Sequence, residues 1–351
     1  MDSLRGASRG NGAGQGDTSG TMTHRQRVEA TLAGRPVDRP AVSFWHHFPG
    51  RDHTPDLLAD ATVEFYRRFA VDFVKLMPTG MYAVVDYGVE IRPSDDTIGT
   101  TVFVSGPIKR PEDWTRLPSV SPSRATLAEH VEVVRKVRAR LGPDVPIVQT
   151  IFSPLTMAAK LAGGTLDDGF LADEDRAQRV LAGLADDVIA FGGACLAAGA
   201  DGFYFASQLA NSTTPAATYD RVGVPYDLRV LEGLRAGSSL LILHLHGAEP
   251  RFDLAERYPV DVVSWEDRET LPSMADARRL TDHVLMAGLS RGELFTGGSA
   301  DEVAAQVRDA LAQTGSRGVI VAPGCVLPTT ASRQLLDAIL ATVQGMEVEG
   351  G

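Results

Sequence analysis

The segment LLILHLHG carries two histidines, His244 and His246, two residues apart. Along a strand, residues i and i+2 share a face, so both imidazoles point to the same side. A third soft donor, Cys325, follows Gly324 in GVIVAPGCVLPTT, directly after an apolar run. Two imidazoles and one thiolate from separate strand ends make a tetrahedral zinc site with one open position, the pattern of catalytic rather than structural zinc. Such a metal keeps the thiolate deprotonated and leaves room for a substrate thiol or a water. The competing reading makes one histidine a core residue and Cys325 a small buried hydrophobe. A loop position beside Gly and Pro is a poor place for a core cysteine.

Other strand ends offer further candidates. In WEDR, Glu266 or Asp267 is a fourth ligand, a partner for an imidazole or a general base, unless it is a solvated acid paired with Arg268. Trp265 in the same stretch and Ser207, which closes GFYFAS, are candidate substrate contacts, as are His46 and His47 in FWHH. Cys195, in FGGACLAAGAD, precedes a strand and so belongs to the opposite end of the fold, where a core role is expected.

Eight apolar runs are spaced to present these groups. They are AVSFW (41–45), FVKLM (73–77), PIVQTIF (146–152), GFYFAS (202–207), LLILHLH (240–246), DVVSWE (261–266), HVLMAGL (283–289) and GVIVAPG (318–324). Amphipathic stretches such as LAEHVEVVRKVRARLG and EVAAQVRDALAQTG alternate with them. Strands alternating with helices predict a parallel sheet, and continuously apolar strands predict burial on both faces. Eight such units close as a single-domain (β/α)8 TIM barrel, whose chemistry sits at the carboxyl ends of the strands. An open doubly wound sheet is the alternative, but its usual glycine-rich phosphate loop is missing, since HHFPGRD follows the first strand. Residues 86–111, around TTVFVSGPI, read as an inserted β-hairpin. Thr23 is a plausible N-cap for the opening helix HRQRVEATLAG, which Gly34 ends.

Composition narrows the function classes. The chain has 351 residues, 44% of them hydrophobic, with a net charge of -11, so neither nucleic acid nor an anionic membrane surface is an expected partner. Two cysteines exclude a disulfide framework, which suits the cytoplasm. No apolar run is judged to approach a membrane span. Residues 1–22, rich in Gly and Ser and without an apolar signal core, read as a disordered tail ahead of a barrel over residues 23–346.

Three segments carry a resemblance: RQRVEATLAGRPVDRPAV, FSPLTMAAKLAGG and GSRGVIVAPGCVLPTTASRQLLDAI. Together they resemble the uroporphyrinogen decarboxylase superfamily from about Thr23 to near the end, which implies a TIM barrel. At the decarboxylase positions the chain departs. The arginine-bearing motif near the N-terminus is FWHHFPGR, keeping only Arg51; the essential aspartate falls near Thr79, a tyrosine at Lys160 and the C-terminal histidine at Cys325. The resemblance thus implies substrate contacts for Thr79 and Lys160 but argues against decarboxylation. The superfamily's other branch, zinc-dependent corrinoid:thiol methyltransferases, has ligands that look like HxC on the fifth strand and a cysteine after the eighth. His244 and Cys325 match, and His246 replaces the middle cysteine. The expected enzyme is therefore a zinc methyltransferase acting on a small-molecule substrate, which moves a methyl group between a corrinoid or another methyl donor and a thiol acceptor, with a corrinoid protein as the candidate partner. Uroporphyrinogen decarboxylase, a metal enzyme of another reaction type, or a non-catalytic corrinoid- or tetrapyrrole-binding protein are the alternatives.

Overall fold

The computed structural model describes residues 21–346 apart from 95, 167 and 293. Among them ten strands form: Ala41–Val42 (β1), Val74–Leu76 (β2), Glu90–Pro93 (β3), Thr101–Ser105 (β4), Ile147–Phe152 (β5), Gly202–Ser207 (β6), Leu240–Leu245 (β7), Val262–Ser264 (β8), Val284–Leu289 (β9) and Val319–Pro323 (β10). Strands β3 and β4 pair antiparallel as the expected hairpin. The other eight form one parallel sheet in the order β1-β10-β9-β8-β7-β6-β5-β2, curled into a (β/α)8 barrel with helices around it. Every residue of β5, β6, β7, β9 and β10 is buried, because side chains facing outward lie under helices and those facing inward fill the barrel.

The seam between β1 and β2 is closed by one backbone bond and two side-chain bonds rather than a continuous ladder. Asp72 N–H donates to the Val42 carbonyl at 2.8 Å, Val42 N–H donates to Asp72 Oδ2 at 2.8 Å, and Ser43 Oγ donates to the Phe73 carbonyl at 3.0 Å. Asp72 is fully buried and also accepts from Arg27 (2.6 Å) and Arg39 (2.7 Å), with His24 Nδ1 at 2.9 Å. Burial pushes its carboxyl up, but His24 and the two guanidiniums outweigh burial and hold it below its ordinary value. The opening helix, His24–Leu32, begins in a capping box between Thr23 and Gln26.

Of the tail expected over 1–22, residues 1–20 lie outside the described part, whereas Met22 is anchored: its N–H donates to Asp38 and its carbonyl accepts from Arg27. One helix, Glu174–Ala197, is long and apolar enough by composition to cross a membrane, contrary to the expectation that no run approaches that. Here it packs against the barrel through Leu181, Leu184, Val188, Phe191 and Cys195. Cys195 is fully buried, its thiol pushed up by that burial, as expected of a core cysteine.

Candidate functional site

Pairing register decides which side chains meet at the carboxyl end. His244 in β7 pairs laterally with Ala206 of β6 and Ser264 of β8. Its ring is buried, with Nδ1 3.3 Å from Ser264 Oγ, while Nε2 has no hydrogen-bond partner. Two residues on, His246 is held through its backbone: its N–H donates to the Ser207 carbonyl at 3.1 Å and its carbonyl accepts from Asn211 Nδ2 at 2.7 Å. Gly247 then turns the chain at φ +96°, where a Cβ would lie 2.6 Å from Asn211 Nδ2. After β10, Gly324 passes so close to β8 that a Cβ would lie 2.6 Å from Glu266 Cα. Only glycine permits that approach, and it delivers Cys325 to the histidines.

The ligand-capable atoms of His244, His246 and Cys325 all lie within 4.8 Å of one another, and Cys325 Sγ is 3.8 Å from His246 Nδ1. Burial pushes the Cys325 thiol up, but the adjoining His244 imidazole outweighs burial and the net shift is downward. Burial lowers both histidines. Neutral imidazoles beside an easily ionised thiol are the protonation states that bind a metal. His244 Nε2 is buried with no partner in hydrogen-bond geometry, although the Cys325 thiol lies beside it, and a cation at this point would satisfy both atoms.

Glu266 joins the cluster, its Oε2 4.0 Å from His246 Nδ1. Arg291 Nε lies 2.5 Å from Glu266 Oε1, a charge contact whose N–H is not aimed to make a hydrogen bond. Lys160 stands over the Phe152 ring at 4.5 Å, is pushed down to about 8 by burial, and its charge bears on His246. His47 faces the same interior with Nδ1 unpartnered, lowered to about 4 by burial and by the nearby Lys75.

Five expected site residues go elsewhere. Because neighbours along a strand alternate faces, the inward setting of His244, Ser264 and Glu266 turns Ser207, Trp265 and Asp267 outward. The Ser207 hydroxyl lies 2.6 Å from Tyr219 Oη; Trp265 Nε1 donates to the Pro272 carbonyl at 2.8 Å; Asp267 Oδ1 accepts from Gly288 N–H at 2.8 Å, with Oδ2 3.3 Å from Arg268. His46 packs into an aromatic group with Phe48 and Phe65 at 4.7 and 4.9 Å. Thr79 lines a separate cavity of about 190 Å³ with Asp52, His53 and His130.

Sequence reasoning missed Lys75, Tyr204, Ser264 and Arg291. Tyr204 stacks on His244 with centroids 5.0 Å apart, and Lys75 Nζ sits over the Tyr204 ring at 4.3 Å and the Trp45 ring at 5.1 Å. A lysine inside the apolar run FVKLM was the available signal, since a charge at a core position needs a reason.

The uroporphyrinogen decarboxylase (URO-D) family model matches residues 23–346. The chain is 23% identical to the methylcobamide:CoM methyltransferase MtaA of Methanosarcina barkeri, over 91% of this chain and 97% of that protein. It is 20% identical to the methylcobamide:CoM methyltransferase MtbA of Methanosarcina acetivorans, over 89% and 95%. Among solved structures, a methyltransferase from Methanosarcina mazei superposes with a TM-score of 0.78 at 20% identity, covering 91% of this chain and 98% of that one. A B12-independent methionine synthase from Shewanella sp. W3-18-1 superposes at 0.57 and 17% identity, covering 87% and 96%.

Proposed function

Because the chain belongs to the uroporphyrinogen decarboxylase (URO-D) family, we propose that it is a zinc-dependent methyltransferase of that family, moving a methyl group from a corrinoid, carried by a corrinoid protein, to a small thiol. The observation that carries this reading is the convergence of His244, His246 and Cys325 within 4.8 Å. Two nitrogens and one sulfur suit zinc, and three protein ligands leave one position open. Zinc bound there would hold an acceptor thiol as its thiolate.

The chain's own groups supply the rest. Ser264 fixes the His244 ring from Nδ1, so Nε2 is the atom offered to the metal. The Ser207 carbonyl and Asn211 position His246. Glu266 faces the cluster and is the carboxylate placed to take the acceptor's proton, with Arg291 holding it. The sulfur–methyl bond forms as the donor–methyl bond breaks, and the bonding pair stays with the donor. Asp267 has no part in this, being engaged with Gly288 and Arg268. The decarboxylase alternative loses support because Arg51, the one arginine kept from that motif, forms an exposed ion pair with Glu64 at 2.6 Å, and Thr79 lies away from the cluster.

Protein purified without added metal should hold about one zinc per chain, and the His244→Ala, Cys325→Ser double variant should lose it. Full occupancy in the double variant overturns the metal assignment. Zinc-loaded protein should form thioethers from methylcobalamin and thiols; loaded protein that alkylates no thiol overturns the reaction.

A further inference from the structure

A cavity of about 360 Å³ opens on the flank of the barrel, between the turn Pro111–Arg116 and the long helix Glu174–Ala197. That volume falls in the range of small-molecule sites. No residue of the eight barrel strands lines it, and none of the histidine–cysteine cluster does. Helical spacing builds one wall: Arg176, Val180, Gly183, Leu184 and Asp187 recur at three and four residues and so share a face. From Arg176 to Asp187 that face runs about 16 Å at the helical rise. Trp114, Leu117 and Pro118 form the wall from the turn and the loop after it. Trp114 is 3% exposed and its ring packs on Phe170, with centroids 4.4 Å apart.

The two ends of the helix wall differ in charge. At one end the Arg176 guanidinium is held in place, since Nη2 donates to the Gly169 carbonyl at 2.7 Å and Nη1 lies 3.1 Å from Asp173 Oδ2. Its Nε–H is buried and has no acceptor. Arg179, one turn on, lines the same cavity and forms neither hydrogen bond nor ion pair among the described residues. At the other end Asp187 accepts from Tyr87 Oη at 2.5 Å and meets no cation within ion-pair distance. Burial, with the charge of Asp186 beside it, pushes the Asp187 carboxyl up. Between the ends the lining is apolar. Gly183 sits there, in a helix of 24 residues, where glycine is less favourable than alanine. Close packing does not account for it, because a Cβ at Gly183 would meet nothing within 4 Å.

We propose that this cavity binds a small aryl monocarboxylate, its acid against Arg176 and Arg179 and its ring against Trp114 and Leu184. An arginine held by its other nitrogens is pre-organised for a carboxylate, which brings the missing acceptors. Asp187 at the far end repels a second acid, so the site discriminates against dicarboxylates. The inference is independent of the metal cluster and of the methyl-transfer reading.

The test is calorimetric binding of 3-phenylpropionate to the full chain, with neutral 3-phenyl-1-propanol and the diacid 3-(4-carboxyphenyl)propionate alongside. Wild type should bind the monoacid about ten-fold or more tighter than either, as expected for a charge-assisted contact. Binding should change the tryptophan fluorescence, and Trp114→Phe should remove that change. The Arg176→Gln, Arg179→Gln double variant should bind acid and alcohol alike. Gly183→Leu, which fills the space while favouring the helix, should abolish binding without lowering the denaturant midpoint, and it keeps the proposal testable if the arginine variant does not fold. The His244→Ala, Cys325→Ser double variant should bind as wild type does. Equal affinity for acid and alcohol in wild type, undiminished binding in Gly183→Leu, or binding lost with the cluster residues overturns the site.

Discussion

At the residue scale, two acids adjacent in sequence separate by role. Glu266 faces the cluster, and Glu266→Gln should lower methyl transfer by about ten-fold or more with zinc retained, in the range a positioned proton acceptor supplies. Asp267→Ala should leave zinc content and transfer intact but cost about 1–3 kcal/mol of stability in denaturant unfolding, because the Gly288 N–H loses its acceptor. A result with the two variants exchanged would reverse the assignment. In the proposed zinc centre His246 would be the tuning ligand. A neutral imidazole in place of a thiolate would leave the metal more electron-poor, and a thiolate bound to it less nucleophilic. His246→Cys should therefore accelerate thiol methylation by methylcobalamin at equal zinc content. Slower transfer would mean that the metal polarises an oxygen instead.

At the scale of elements, the shortest strands carry the most polar support. β1 spans two residues, and its seam with β2 is held by Asp72 and its ring of Arg27, Arg39 and His24. Removing one member of a buried ionic group leaves the others uncompensated. Asp72→Ala should thus cost about 3–5 kcal/mol, read as a lower denaturant midpoint, and should expose the β1–β2 seam to hydrogen exchange ahead of β5–β7. An unchanged midpoint would show that the seam is held by the apolar core alone. The glycines after β7 and β10 act at the same scale, turning two strand ends so that His246 and Cys325 converge.

For the whole molecule, two buried acids set opposite limits on pH. Asp72 is held below its ordinary value, so its contribution to stability is present above about 3.8 and is lost as pH falls through its folded value. Asp227 is fully buried, accepts from Tyr219 and Tyr258 at 2.6 and 2.7 Å, and is pushed up to about 7 by burial. Its protonated form is favoured in the folded state, so its contribution is complete below the ordinary value of 3.8 and is lost as pH rises to about 7. Thermal unfolding should show a midpoint that falls between about pH 4 and 7, and Asp227→Asn should flatten that fall. An identical pH profile in the variant would mean that the tyrosines keep the carboxylate ionised.

The order and type of the elements were legible in the chain because continuous apolar runs alternating with amphipathic ones admit few arrangements other than helices outside a parallel sheet. All eight predicted runs contain barrel strands, and Thr23 caps the first helix as its residue type requires. His244, His246 and Cys325 were legible too, since two-residue spacing puts the histidines on one face and a loop after the last strand returns to the same rim. The same alternation, carried through β6 and β8, already turns Ser207, Trp265 and Asp267 away. What sequence alone left undecided depends on contacts between residues far apart in the chain. Lys75 became a neighbour of Tyr204 and Trp45 only when β5 was laid between β2 and β6 and β1 closed against β2, and Arg291 met Glu266 only when β9 was laid beside β8. Spacing fixes which face a side chain takes, because the backbone repeat is local. Which partners it meets there, and which donors are left without one, is set by barrel closure.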